Sequence, residues 1–370
     1  MSDSMPAPIK IFSFFSGSGF LDLGFEMAGF VIDFVNEFSP SFSKAYKYAR
    51  AQMGIPEPRF GYSKDINEFL ETRSEELRDN IALEHKEGNL VGFIGGPPCP
   101  DFSIAGKQKG REGDNGRLSQ SYVDLIYAQK PDFFLFENVK GLWRTVKHRA
   151  YYDELKETLS RYYYLTDRLC NALEFGAPQD RDRILLFGIR KSVAKRYGLS
   201  ISVFNWDAHR RFDTEKVKSL PWVKTTPFLA GSVSLCPDNI IEELTVEHWF
   251  RKNDVEHHPN AQDYFTPRAG LVRMLEIEEG DDSKKSYKRL HRWRYSPTVA
   301  YGNNEVHLHP YLARRLSAAE ALALQTLPAE FSLPPEMSLS DKFKTIGNGV
   351  PFVLANGIAL TIGDFFKNAK

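Results

Sequence analysis

The sequence predicts an α/β protein: a doubly wound, mostly parallel sheet with a second, smaller domain. Three observations carry this. Short apolar runs at residues 10–15, 31–35, 91–94 and 131–136 each run within two residues into a glycine or an acidic residue. The first is followed by a glycine turn and a stretch of helical periodicity, the arrangement that brings backbone N–H groups to a ligand at a helix N-terminus. From about residue 193 the strand–helix rhythm fades into scattered prolines and clustered basic and aromatic residues, a shift that marks a separate unit. At 370 residues the chain is also long for one core.

Composition sets bounds. Lys+Arg and Asp+Glu number 48 each, so net charge does not point to a nucleic-acid partner and any basic surface must be local. The three cysteines, Cys99, Cys170 and Cys236, are too few and too scattered for a disulfide framework or a zinc site, so no metal is expected and a reducing compartment fits. The N-terminus lacks a signal pattern and no run of 18 apolar residues follows; a cytoplasmic protein without a membrane segment is expected.

In chain order, residues 10–15 form a strand, 16–19 (SGSG) a turn, and 20–29 a helix through Leu21, Phe25 and Ala28. The spacing is not that of the GxGxxG dinucleotide fingerprint. A second strand, 31–35, ends at Glu37, which either holds a ribose hydroxyl pair or is a solvated loop residue. After a helix at 41–53, Asp65 either caps the next helix or accepts from an adenine amino group. The strand at 91–94 leads through Gly95, Gly96, Pro97 and Pro98 to Cys99. Two prolines stiffen that turn and deliver one thiol to the carboxyl edge of the sheet, where open α/β sheets bind ligands. Residues 104–117, with four glycines and mixed charge, read as a mobile loop of functional length. A helix at 118–129 and a strand at 131–136 lead to Glu137. Parallel strands put Cys99 and Glu137 on one edge, where Glu137 is either a partly desolvated carboxyl group that exchanges a proton with a substrate or a solvated loop residue. A helix at 151–161 and a strand at 162–169 follow.

Before the apolar run 184–189, Arg181 and Arg183 alternate with Asp180 and Asp182; alternation puts both arginines on one face, suited to a base edge or phosphate, or to a salt-bridge ladder. In the second half, residues 284–295 (KKSYKRLHRWRY) hold six Lys or Arg in their first eleven positions, either a DNA-contacting stretch or a solvated basic face. Ser317 and Glu320 form a capping box. The final apolar helix, 352–366, needs a core to cover, and the first domain offers it.

These motifs resemble, in order, those of the cytosine-C5 DNA methyltransferases. FSGSGFLDLGFEMAGF resembles the first motif, GPPCPDFS with its loop the nucleophile motif, and ENV at 137–139 and QDRDR at 179–183 the next. Ser-Pro-Thr at 296–298, RRLSAAEALALQTLP and GNGV at 347–350 complete the series. The resemblance spans nearly the whole chain. It implies S-adenosylmethionine as methyl donor, held by Phe15, Gly17, Gly19, Glu37, Asp65, Ile66, Pro98, Asn348 and Val350. It implies Cys99 as nucleophile, with Glu137, Arg181 and Arg183 completing the catalytic set. Ser103, Lys107, Gln108, Lys109, Arg292 and Arg294 are expected to touch double-stranded DNA.

Residues 1–192 are expected to form the catalytic domain, 193–295 a target-recognition domain, 296–345 a continuation of the small domain, and 346–370 a returning helix. A cytoplasmic monomer acting beside a cognate restriction endonuclease is the implied setting. An RNA-directed relative, whose variable region carries a Cys-Phe-Thr signature not found here, and a silent DNA-binding relative are the alternatives.

Overall fold

Strands buried on both faces build the sheet. The computed structural model describes residues 8–98, 114–266, 270–284, 286–299, 301 and 306–367. Its main sheet has seven strands: β1 (Lys10–Phe14), β2 (Val31–Asn36), β3 (Tyr62–Ser63), β4 (Val91–Gly95), β5 (Phe133–Val139), β6 (Tyr163–Asn171) and β7 (Asp182–Arg190). They lie in the order β3-β2-β1-β4-β5-β7-β6. Neighbours are parallel except on the two sides of β7, which runs against β5 and β6. The chain moves outward from β1 through β2 to β3, then returns to β1's other side at β4. The reversal opens a crevice at the carboxyl ends of β1 and β4.

Seven helices matter for the site: α1 (Phe20–Met27), α2 (Pro40–Gln52), α3 (Asp114–Gln129), α4 (Val146–Ser160), α5 (Ala318–Leu324), α6 (Leu339–Asn348) and α7 (Phe352–Lys367). Successive strand residues point to opposite faces. Ile11, Ile32, Ile94, Leu135 and Phe187 face a layer containing Phe25 of α1 and Ile358 and Ile362 of α7. Phe12, Phe14, Phe34, Phe93 and Phe136 face the other, with Tyr122 and Ile126 of α3 and Leu155 and Leu159 of α4. The returning C-terminal helix therefore covers the sheet as expected. Residues 339–367 are long and apolar enough to cross a membrane, but Pro351 divides them into two helices, and the apolar side chains of α7 fill this core while those of α6 pack with Phe20 and Phe42.

Several sequence expectations need correction. Glu137 lies inside β5 rather than beyond its end, because antiparallel pairing with β7 carries the ladder on to Val139. Helix α4 starts at Val146, five residues earlier than expected; the Thr145 side chain accepts from the His148 N–H and sets that start. The sheet unit does not stop at residue 192: Phe204 stacks on Phe187 at 4.4 Å, and Trp206 Nε1 donates to Thr166 Oγ1 at 3.0 Å. Residues 296–345 are shared between units. Val299, Leu316 and Leu324 pack with Trp249 and Phe250, while Ala318, Leu322 and Ile346 pack with Phe20 and Phe42.

Within the basic stretch, residues 289–293 turn inward. Arg289 is fully buried and donates to the carbonyls of Met274 (2.5 Å), Ile277 (2.8 Å), His309 (2.5 Å) and Leu312 (3.2 Å), with its guanidinium 3.7 Å over the Phe228 ring. Arg292, expected at DNA, is buried in an ion pair with Glu279 at 2.8 Å and donates to Ser232 O and Oγ. Arg294 is committed to Asp282 at 2.7 Å and to the carbonyls of Lys224 and Gly280. Buried backbone carbonyls outside regular structure need donors, and these guanidinium groups supply them.

Candidate active site

Of the residues expected to bind the donor, Phe15, Gly17 and Gly19 follow β1, Glu37 follows β2, and Asp65 and Ile66 follow β3. Gly17 and Gly19 have φ of 58° and 82°, which glycine adopts freely, and Phe15 takes a left-handed φ of 54° without that freedom. The Gly17 N–H donates to Glu37 Oε2 and the Ser39 N–H to Oε1, both at 2.7 Å, so the carboxylate is fixed across the turn. Burial pushes the Glu37 pKa up, and these two backbone bonds oppose that rise. Asp65 Oδ1 accepts from Asn67 N (2.9 Å) and Nδ2 (3.0 Å), the local turn reading, and Oδ2 has no partner among the described residues. Ile66 is buried beside Phe34 and Phe69.

Sequence reasoning missed two residues here. Arg50 lies under the turn, donating to Ser18 O (3.2 Å), Gly19 O (2.7 Å) and Glu26 Oε2 (2.9 Å). A Cβ on Gly19 would sit 2.4 Å from its Nη1, so only glycine fits there. Its signal was present: Phe42, Ala45, Tyr46, Ala49 and Arg50 share one buried helix face, and an arginine on an apolar stripe must have found acceptors. Phe38, beside Glu37, is the second; its ring is 73% exposed.

Glu137 is buried, and the Arg183 Nε lies 2.6 Å from its Oε1. Register explains the meeting. Leu185 stands opposite Glu137, so Arg183, two residues earlier on antiparallel β7, falls on the same face at the same edge. Desolvation raises the Glu137 pKa, opposed by Arg183 and then Arg181. Gly96 is the floor: a Cβ there would sit 2.5 Å from Glu137 Oε2.

Arg181 occupies a different place from the one expected. It is 1% exposed and donates to the carbonyls of Val299 (2.7 Å), Gly347 (2.8 Å) and Gly349 (2.9 Å), which makes it a clamp on the Gly-Asn-Gly turn rather than a group facing a substrate. Burial pushes its pKa well down. Ser18 Oγ and Thr345 Oγ1, 2.8 Å apart, tie the same region to the glycine turn. Asn348 is exposed, whereas Val350 is buried in the core with Leu354. Pro98 is the last described residue before Cys99; Cys99, Ser103, Lys107, Gln108 and Lys109 lie outside the described residues. Among the described residues no group of three or more His, Cys, Asp or Glu is gathered as a metal site.

Comparison with known proteins decides the family. The model for C-5 cytosine-specific DNA methylases matches residues 9–364. The chain belongs to that family. The methylase is 57% identical over 361 residues to the Type II methyltransferase M.NmeDI of Neisseria meningitidis serogroup C, covering 97% of this chain and 84% of that one. It is 31% identical over 390 residues to M.FnuDI of Fusobacterium nucleatum, covering 98% and 97%. Among solved structures, a putative DNA modification methyltransferase from an Escherichia coli prophage superposes with a TM-score of 0.65 at 22% identity, over 97% of this chain and 100% of that one. The Dnmt2 methyltransferase of Schizosaccharomyces pombe does so with 0.56 at 12%, over 97% and 99%. At such identities these two report the fold alone. The methylase is a DNA cytosine-5-methyltransferase.

Proposed function

We propose that the methylase methylates carbon 5 of a flipped-out cytosine within one short duplex sequence, through a covalent bond to Cys99, as the modification half of a Type II restriction–modification pair. S-adenosylmethionine supplies the methyl group as an electrophile on a sulfonium. The crevice fits that donor. A Cβ built on Gly17 would meet only Thr345 Oγ1, at 3.9 Å, so the turn has an open floor. Glu37 offers a fixed acceptor for ribose hydroxyls, Asp65 Oδ2 an acceptor for the adenine amino group, and Phe38 a ring for the purine face.

The observation that carries the reading is the buried Glu137–Arg183 pair on Gly96, three residues before Cys99. Carbon 5 of cytosine is a weak nucleophile. Addition of the Cys99 thiolate at carbon 6 makes it enamine-like. Glu137, with its pKa raised, donates a proton or strong hydrogen bond to the ring nitrogen as that bond forms, and Arg183 holds the carboxyl group in place. Carbon 5 would then take the methyl group as the donor's sulfur–methyl bond breaks, and the donor would leave as a neutral thioether. A base then removes the carbon-5 proton, the carbon–sulfur bond breaks, the thiolate departs and the ring nitrogen returns its proton to Glu137. None of these atoms is reachable inside a stacked duplex, so the base must leave the helix.

On this reading the enzyme works as a cytoplasmic monomer beside a cognate endonuclease, and the stretch from 207 to 295 reads the target. Base-resolution methylation sequencing of cells expressing the chain tests it. The expected result is 5-methylcytosine at one short recurrent sequence, absent with Cys99→Ser. Methylation that persists in that variant would remove the covalent mechanism.

A further inference from the structure

The edge that carries Glu137 continues beyond β5 into a segment the mechanism leaves unused. Residues 140–149 (KGLWRTVKHR) contain no acidic residue, in a chain whose net charge is zero. Lys140 directly follows β5 and lies 2.6 Å from Asp182, the residue between Arg181 and Arg183, which fixes it on the same edge as the catalytic pair. A short helix, Gly141–Arg144, follows, and the Thr145 cap then starts α4. Arg149 is pinned: its guanidinium stacks 3.5 Å over the Trp143 ring and its Nε reaches Asp153 at 3.3 Å. Arg144 is different. It is exposed and has no acidic partner among the described residues, and Val146, just beyond it, is 91% exposed. A braced tip thus presents an unpaired guanidinium outward, a few residues from the group that must meet the target base.

We propose that Arg144, with Lys140 behind it, holds backbone phosphates of the DNA strand beside the flipped cytosine. The base cannot reach Glu137 without bringing its flanking phosphates to this edge, and an exposed guanidinium matches phosphate geometry. The inwardly turned Arg292 leaves that work to other cations. Phosphate contact is sequence-independent, so this surface positions the duplex and does not choose the target.

The inference rests on the DNA-methylating reading, and the experiment separates the two. Equilibrium binding of the full-length enzyme to a target duplex and to a scrambled duplex is measured by fluorescence anisotropy from 50 to 200 mM salt. Arg144→Ala is compared with wild type and with Lys86→Ala, an exposed cation at the end of the helix before β4, on the opposite edge. Each lost phosphate contact lowers the slope of log affinity against log salt by about 0.9, so wild type loses about 3.5-fold more affinity than Arg144→Ala over that range. The loss in Arg144→Ala is expected on both duplexes alike, and Lys86→Ala keeps the wild-type slope. An unchanged slope in Arg144→Ala, with wild type still binding, overturns this inference alone. Absence of DNA binding by wild type overturns both readings.

Discussion

Gly96→Ala is the sharpest single test of the catalytic edge. The backbone at Gly96 is outside the left-handed region, so alanine suits it. The added Cβ would sit 2.5 Å from Glu137 Oε2, and reaching the 3.4 Å of ordinary contact requires the carboxylate to retreat about 0.9 Å. The carboxylate is the end of a flexible side chain, so the fold gives way easily; the 2.6 Å ion pair with Arg183 does not. A misplacement of about 1 Å in a catalytic group costs on the order of 100-fold in rate, or about 2.7 kcal/mol in the barrier. Single-turnover methylation with saturating DNA and donor reads that step directly. The expected result is a rate lowered by about 100-fold, with DNA affinity and melting temperature close to wild type. A rate within threefold of wild type would refute the reasoning, because it would mean that Glu137 can move freely without affecting the chemistry.

Two further outcomes follow from buried charge. Desolvation raises the Asp22 pKa from 3.8 to about 6. Between those values the unfolded chain gives up this proton while the folded chain keeps it, so the stability this group confers at low pH is lost as pH rises through about 6. Asp22→Asn removes that loss: urea unfolding at pH 7.5 should show a gain of up to about 3 kcal/mol over wild type, shrinking toward pH 4, and an equal difference at both pH values would contradict the assignment. Arg289→Met strips the donor from four carbonyls and should cost at least ~3 kcal/mol in the same assay, whereas Arg294→Ala, at a partly exposed pair, should cost under ~1 kcal/mol. Equal losses in the two would refute the keystone role of Arg289.

Much of the sheet was legible because its strands are short apolar runs punctuated by glycine, proline and acid, and because side-chain alternation is a local property. The convergence of Gly17, Glu37, Asp65 and Glu137 followed from parallel strands sharing a carboxyl edge. What could not be read was anything decided by partners distant in sequence. The reversal of β7, which brings Arg183 to Glu137, leaves no mark in the apolar run that forms it. Arg181 and Arg183 look alike in QDRDR, yet one clamps the carbonyls of Gly347 and Gly349 and the other meets a carboxylate. The stretch 284–295 looked like a surface for the same reason: burial of Arg289 depends on carbonyls from residues 274, 277, 309 and 312, none of which its own neighbourhood announces.

The bond between Ser18 and Thr345 joins residues 327 apart, and Asn356 Nδ2 donates to Gly24 O at 3.0 Å across a similar span. A Cβ on Gly24 would touch Ala355, so α1 and α7 leave no room between them for anything else. Helix α1 is therefore completed by α7, which lies far later in the chain. At about 5–20 residues per second, α1 waits roughly 20–70 s for its neighbour, and contacts so far apart in sequence form slowly even then. A nascent chain that has not yet reached α7 therefore holds most of the sheet with one of its faces still uncovered.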